Sequence, residues 1–142
     1  MEIMSEILEG GCLCGRIRYQ TTCLDSKIKI NCHCRDCQKL SGGPYVSLMG
    51  IPPESFSVTG ETSCFEHEGG SGGKMRAFCC SHCNGRVYGK PEIARGMILI
   101  IATSLDKPEI FTPNADVFVK SAVPWDRMDE TIPKYEGAFS RG

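Results

Sequence analysis

Seven of the ten cysteines lie in three motifs whose spacing restricts how the chain can fold. The motifs are Cys12-Leu13-Cys14, Cys32-His33-Cys34-Arg35-Asp36-Cys37 and Cys80-Ser81-His82-Cys83. In an extended strand, residues i and i+2 point to the same face, so a C-x-C pair presents two thiols together. A C-x-x-C pair in a tight turn does the same by curling around an ion. Both spacings therefore predict metal ligation, with Leu13 pointing away and His33 either at the surface or behind the ligands.

The redox environment favours metal ligation over disulfides. The first eleven residues carry Glu2, Glu6 and Glu9, and they have neither the basic flank nor the apolar stretch of a secretory signal. We therefore expect a cytoplasmic protein, in which reducing conditions disfavour a disulfide framework. Metal binding is then the leading interpretation of ten cysteines, and buried or redox-active thiols are the alternative.

The number of thiols predicts two zinc ions per chain. One C-x-C pair and one C-x-x-C pair supply four ligands, which close a structural zinc site. The residues assigned to this site are Cys12, Cys14, Cys80 and Cys83. The remaining three thiols leave one coordination position open, as in catalytic zinc sites. The residues assigned to this second, catalytic zinc are Cys32, Cys34 and Cys37.

Two features of this ligand assignment stay open at the level of sequence. Cys79 and His82 form a competing C-x-x-H pair, although Asn84-Gly85 favours the C-x-x-C pair because it supplies the turn expected after that motif. Alternatively, both zinc sites are structural, and a fourth protein ligand closes the second one. The candidates for that ligand are His67, Cys64 and Cys23.

Short segments rich in β-branched and aromatic residues, bounded by glycine and proline, predict an all-β fold of antiparallel strands. The predicted strands are 16–20, 27–31, 46–49, 56–59, 75–79, 97–103 and 117–120. Only Arg35 to Leu40 has a helical pattern, and the tail from Val123 is predicted to be irregular because of its prolines and glycine. The whole chain, 1–142, is expected to form one domain with its core at about residues 8–125.

Charge and hydropathy exclude two classes of partner. The formal net charge is −1, and seven thiolates with two Zn²⁺ would bring it to about −4. Such a chain has no overall attraction to nucleic acid or to an anionic membrane. Its apolar runs are also shorter than the roughly 18 residues of a membrane span.

These motifs resemble the glutathione-dependent formaldehyde-activating enzyme family, which includes the centromere protein V type of domain. The resemblance is carried by 11–15, by 32–42 with its CHCxxC followed by Ser-Gly, by 78–83, and by segments around Ser104 and Trp125. Asn84 departs from the family pattern, in which glycine directly follows the C-x-x-C. The resemblance implies an Mss4-like β-tent, a structural zinc on the C-x-C and C-x-x-C pairs, and a second zinc on the CHCxxC.

The resemblance also implies a reaction. It predicts a zinc-dependent carbon–sulfur lyase, similar to S-hydroxymethylglutathione synthase, that acts on adducts of a small thiol such as glutathione with formaldehyde or a similar electrophile. Arg35 and Lys39 are candidate anchors for substrate carboxylates. The alternative is a zinc-ordered protein-interaction module without catalytic activity.

Overall fold

The computed structural model describes residues 6–70, 72–93 and 96–138. Within these ranges the chain forms ten β-strands and one α-helix, α1, at Arg35–Ser41. The strands are β1 Leu8–Gly11, β2 Arg18–Thr21, β3 Ile28–Cys32, β4 Val46–Ile51, β5 Phe56–Thr59, β6 Thr62–Glu68, β7 Lys74–Cys80, β8 Arg86–Pro91, β9 Ile98–Ile101 and β10 Ala115–Val117. Single 3₁₀ turns occur at Pro53–Ser55, Ala102–Ser104, Pro108–Ile110 and Val119–Ser121. This confirms the predicted all-β class with one short helix.

The strands form two sheets. The smaller sheet has the order β1-β2-β5, and the larger has the order β10-β3-β4-β9-β8-β7-β6. All the strand pairs are antiparallel except β10 with β3, in which Val117 lies opposite Cys32 in parallel register. The prediction of antiparallel strands is wrong for this pair, which aligns the strand that ends in Cys32 with a segment from late in the chain.

Apolar side chains cover both faces of the larger sheet. Alternate residues of β4 and β9 divide between two core clusters, with Ile98 and Ile100 in one and Leu99 and Ile101 in the other. The first cluster lies between the two sheets, because it also contains Ile17 and Tyr19 from the smaller sheet and its flank. The second lies on the opposite face. Burial on both faces explains why β9 consists of four apolar residues without alternation.

The helix begins and ends with capping contacts that the sequence encodes. Cys34 is the N-cap, and its sulfur accepts a hydrogen bond from the backbone N–H of Cys37 at 3.4 Å. Gly42 ends the helix in the left-handed conformation, with φ of 76°, and donates to the carbonyl of Gln38 at 2.9 Å. The predicted helix at 35–40 is thus confirmed with one additional residue.

The predicted strand at 117–120 is wrong. β10 ends at Val117, because Phe118 adopts a left-handed backbone conformation with φ of 56° and a 3₁₀ turn follows. Likewise, the predicted strand at 97–103 ends at Ile101 and gives way to a 3₁₀ turn. β1, β6 and β8 were not predicted.

The C-terminal tail has no helix or strand in its described part, up to residue 138, as predicted. It is nevertheless attached to β10 by backbone hydrogen bonds. Asp116 donates to the carbonyl of Pro133 and accepts from Tyr135, both at 2.9 Å, and Phe118 donates to Gly137 at 2.8 Å. The ring of Tyr135 packs against the second core cluster. Within the described residues, no helix has the length and apolar character needed to cross a membrane.

Candidate metal centres

The first cysteine cluster brings together two inter-strand segments that are far apart in sequence, one after β1 and one at the end of β7. The sulfur atoms of this four-cysteine cluster lie within 4.8 Å of one another, and they belong to Cys12, Cys14, Cys80 and Cys83. The Sγ atom of Cys14 lies 3.7 Å from that of Cys12 and 3.7 Å from that of Cys80. A disulfide would require about 2.05 Å. Four thiolates at about 2.3 Å from one tetrahedral ion would be about 3.8 Å apart, so the cluster has the dimensions of a metal site.

Backbone N–H groups point at these sulfur atoms. Ile17 donates to the Sγ atom of Cys12 at 3.2 Å, and the amides of His82 and Cys83 donate to Cys80 at 3.3 and 3.4 Å. Although burial works to raise the pKa of Cys12, the amide of Ile17 and the neighbouring thiols lower it to about 6. Although a backbone hydrogen bond from Arg16 works to lower the pKa of Cys14, burial and the neighbouring thiols raise it to about 11. The surroundings thus favour thiolate, the form that binds metal, at Cys12 but not at Cys14.

A turn between β7 and β8 brings Cys80 and Cys83 together. Its left-handed residue is Asn84, with φ of 62°, which is a conformation that asparagine tolerates better than most residues. The competing pair, Cys79 and His82, lies outside the cluster. Cys79 and Cys80 are consecutive in β7, so their side chains point to opposite faces of the sheet.

The second cysteine cluster comes from a single segment of six residues. Cys32 is the last residue of β3, Cys34 is the N-cap of α1, and Cys37 lies in the first helical turn. The sulfur atoms of this three-cysteine cluster also lie within 4.8 Å of one another. Cys32 and Cys37 are buried, whereas Cys34 is half-buried.

The thiols of the three-cysteine cluster shift one another's pKa values in opposite directions. Hydrogen bonds from the thiols of Cys32 and Cys37 lower the pKa of Cys34 to about 2. The resulting thiolate of Cys34, with the thiol of Cys37 and burial, raises the pKa of Cys32 well above its ordinary value. A cation would relieve the burial of further thiolates.

A cavity of about 150 Å³ adjoins the three-cysteine cluster. All three of its cysteines line the cavity, whereas none of the four-cysteine cluster does. Most of the remaining wall is apolar and includes Leu48, Met75, Leu99, Val117 and Phe118. The polar side chains on the wall belong to Asp36, His67 and Arg86. The second cluster is thus the one that lies beside a cavity, whereas Cys14 of the first is exposed at the surface.

His33 supports the three-cysteine cluster from within the protein. Its ring is fully buried, and its Nε2 atom lies 2.8 Å from the Oδ1 atom of Asp116. Of the two positions expected from the sequence, the surface one is therefore wrong, and the one behind the ligands agrees with the burial. Burial works to raise the pKa of Asp116, but the Lys134 ammonium and the His33 ring hold it below its usual value. The carbonyl of His33 also accepts a 2.7 Å hydrogen bond from Gln38. These contacts fix the segment between Cys32 and α1.

The residues predicted as a fourth ligand or as substrate anchors lie at different distances from the three-cysteine cluster and its cavity. Among the described residues, neither His67, Cys64 nor Cys23 joins the three-cysteine cluster. His67 lines the cavity, with its Nδ1 atom 3.7 Å from a carboxylate oxygen of Asp36. Arg35 and Lys39 are not on the cavity wall, and Arg35 donates to the side chain of Gln38. The arginine that does reach the cavity is Arg86, which sequence reasoning missed.

Comparison with known proteins agrees with this arrangement. The sequence profile of the glutathione-dependent formaldehyde-activating enzyme family matches residues 7–121. The chain belongs to this family. The match covers every cysteine of both clusters and both sheets, and it ends before the tail that pairs with β10. The family membership and the two-sheet architecture agree with the β-tent implied by the sequence resemblance.

A protein of known structure shares the fold of this chain. A crystal structure of a protein from Rhodobacter sphaeroides superimposes with a TM-score of 0.56 over 89% of this chain and 98% of that chain, at 13% sequence identity. At this identity the likeness concerns the fold alone. A search of curated proteins gave no significant sequence match.

Proposed function

We propose that the protein is a zinc-dependent carbon–sulfur lyase-type enzyme that acts on the adduct of a small thiol, such as glutathione, with formaldehyde or a similar electrophile. The observation that supports this most is a three-sulfur cluster that opens on a cavity, separate from a four-sulfur cluster. Membership of the formaldehyde-activating family supports the same chemistry. The alternative, a zinc-ordered interaction module, gives no role to the cavity beside the three thiols.

Zinc suits the donor sets of both clusters, because thiolates are soft ligands and four of them at these separations match its tetrahedral geometry. We assign the four-cysteine cluster to a structural zinc and the three-cysteine cluster to a second zinc. When bound at the second cluster, zinc supplies an open position that favours the thiolate form of an incoming thiol, whose pKa is otherwise about 8.5.

The chain contributes position and surroundings to the reaction. Leu99, Val117 and Phe118 form an apolar part of the cavity wall beside the three thiols. In the addition, the substrate sulfur bonds to the carbonyl carbon, and the proton lost from the thiol is balanced by one gained at the carbonyl oxygen. Holding both reactants in one small space replaces an encounter in solution by a reaction between neighbours.

Exchange NMR of formaldehyde with glutathione tests this proposal. We expect the rate of exchange between free formaldehyde and the adduct to be higher with the zinc-loaded protein than in buffer alone. The Cys34→Ser variant should lose this acceleration. Cys64→Ser is the matched control, because Cys64 is exposed on β6 and lies outside both clusters. No acceleration by the wild type, or equal acceleration by Cys34→Ser, would contradict the proposed enzyme activity.

A further inference from the structure

The cavity contains an arginine that forms no ion pair with a carboxylate in the described part of the chain. Arg86 lines the cavity, and its Nε and Nη1 atoms are buried without a hydrogen-bond partner there. Its positive charge also interacts electrostatically with the thiol of Cys37. Arg86 is half-buried as a whole, but these two buried N–H groups lack acceptors, so the guanidinium favours an anionic ligand that accepts hydrogen bonds from it.

A bulge in β8 aims Arg86 into the cavity. Phe78 of β7 pairs with Tyr88, but the next residue, Cys79, pairs with Arg86, which leaves Val87 as an extra residue. Val87 and Tyr88 consequently both pack in the core between the sheets, while Arg86 lines the cavity on the opposite face. In a regular strand, Arg86 and Tyr88 would point to the same face. The bulge therefore re-aims this side chain beside the proposed active site.

The carboxylate on the cavity wall does not pair with Arg86. Asp36 lines the same cavity, but its carboxylate lies 3.7 Å from the ring of His67, and within the described residues it forms no ion pair with Arg86. The Nε2 atom of His67 is also buried without a hydrogen-bond partner there. Two nitrogen-bearing side chains on the wall thus have unused hydrogen-bonding capacity, beside three thiols.

The guanidinium chemistry of Arg86 and the size of the cavity restrict which ligands can bind. A guanidinium presents parallel N–H groups that match the two oxygens of a carboxylate. A cavity of about 150 Å³ accommodates a molecule of roughly the size of benzene, about six non-hydrogen atoms. We propose that Arg86 binds the carboxylate of a small mercaptocarboxylate, a thiol whose acid group lies within a few bonds of its sulfur, with that sulfur beside Cys32, Cys34 and Cys37. This inference rests on the proposed function, in which a thiol is a substrate.

Isothermal titration of the zinc-loaded protein with two thiols tests the inference. Mercaptoacetate carries the carboxylate, and mercaptoacetamide has the same number of non-hydrogen atoms without the charge. The measured quantity is the ratio of the two dissociation constants. Comparing this ratio between wild type and Arg86→Gln cancels the intrinsic difference in thiol acidity. We expect Arg86→Gln to reduce the preference for mercaptoacetate about tenfold or more, because it removes a charge-assisted pair in a desolvated site.

Three further variants make the result specific. Arg76→Gln on the neighbouring strand is the matched control, because Arg76 is exposed and pairs with Glu66, and it should leave the ratio unchanged. Arg86→Lys keeps the charge but loses the planar fork, so it should retain part of the preference. Cys34→Ser should weaken the binding of both thiols. Zinc content and circular dichroism identify any variant that fails to fold, in which case Arg86→Lys provides the comparison.

The possible failures separate the inference from the proposed function. If both thiols bind and Arg86→Gln leaves their ratio unchanged, Arg86 does not bind the carboxylate, while the enzyme proposal stands. If neither thiol binds to the zinc-loaded wild type, the inference is overturned, and the NMR exchange assay decides the enzyme activity independently. If thiol binding survives Cys34→Ser unchanged, the thiol does not lie beside the three-cysteine cluster, which also overturns the inference.

Discussion

The two cysteine clusters differ in how the chain builds them. The four-cysteine cluster brings together the β1–β2 loop and the β7–β8 turn, which are more than sixty residues apart in sequence. Its sulfur atoms accept hydrogen bonds from backbone N–H groups. The three-cysteine cluster arises within six residues and opens on a cavity. A metal in the first would therefore cross-link the two sheets, whereas a metal in the second would close only a local segment. The same ligand chemistry can thus support either stability or substrate access.

The largest difference between the clusters should appear when one ligand of the four-cysteine cluster is removed. We expect Cys12→Ser to leave the domain largely unfolded, because structural zinc supplies about 10–16 kcal/mol of binding free energy, comparable with the whole stability of a domain. Circular dichroism and zinc analysis of the purified variant measure this effect. Cys64→Ser is the control for the loss of a cysteine outside both clusters. A folded Cys12→Ser protein that retains its zinc would contradict the cross-linking role.

We expect a smaller effect, on zinc affinity alone, from changing Asp116, which supports the three-cysteine cluster through His33. Asp116→Asn removes the charge that faces His33 and Lys134 while preserving the size of the side chain. We expect about tenfold weaker zinc binding at this cluster, since residues behind the ligands commonly contribute that much to metal affinity. Competition with a chromophoric chelator measures both sites in one titration. An equal loss at both sites would show that Asp116 acts on general stability instead.

The smallest effect concerns the turn of the four-cysteine cluster. Asn84 has a positive φ, which glycine adopts without strain, so Asn84→Gly should change the free energy of unfolding by less than about 1 kcal/mol and leave zinc content unchanged. Asn84→Val is the comparison, and it should destabilise the protein because a β-branched residue is disfavoured in this conformation. Thermal unfolding measures both variants. A large loss of zinc in Asn84→Gly would show that the asparagine side chain has a further role.

The sequence predicted those parts of the molecule that have a local signal. The ligand spacings anticipated which sulfur atoms lie together, and segments rich in β-branched and aromatic residues between turn signals located β2, β3 and β4 approximately. β6 has mostly exposed residues on both faces, so its sequence shows no alternation to detect. β8 contains a bulge together with Gly89 and Pro91, which breaks the strand pattern. Both strands are set by pairing with β7, which is a non-local interaction.

The residues that complete the three-cysteine site could not be predicted for the same reason. Arg86 reaches the cavity only because Val87 is an extra residue in β8, and no local pattern reveals a bulge. His33 was expected either at the surface or behind the ligands, and local sequence could not decide between the two because its buried partner, Asp116, comes from the parallel neighbour of β3. The nearby candidates, Arg35 and Lys39, are close in sequence to the cysteines but lie off the cavity wall.

Metal content per chain tests the central claim most directly, namely that one cluster is closed and structural while the other is open and dispensable for folding. We expect two zinc ions in the wild type and one in Cys34→Ser, with Cys34→Ser retaining the far-ultraviolet circular dichroism of the wild type. The claim would be contradicted by a wild-type protein that binds no metal, or by a Cys34→Ser variant that unfolds or keeps both ions.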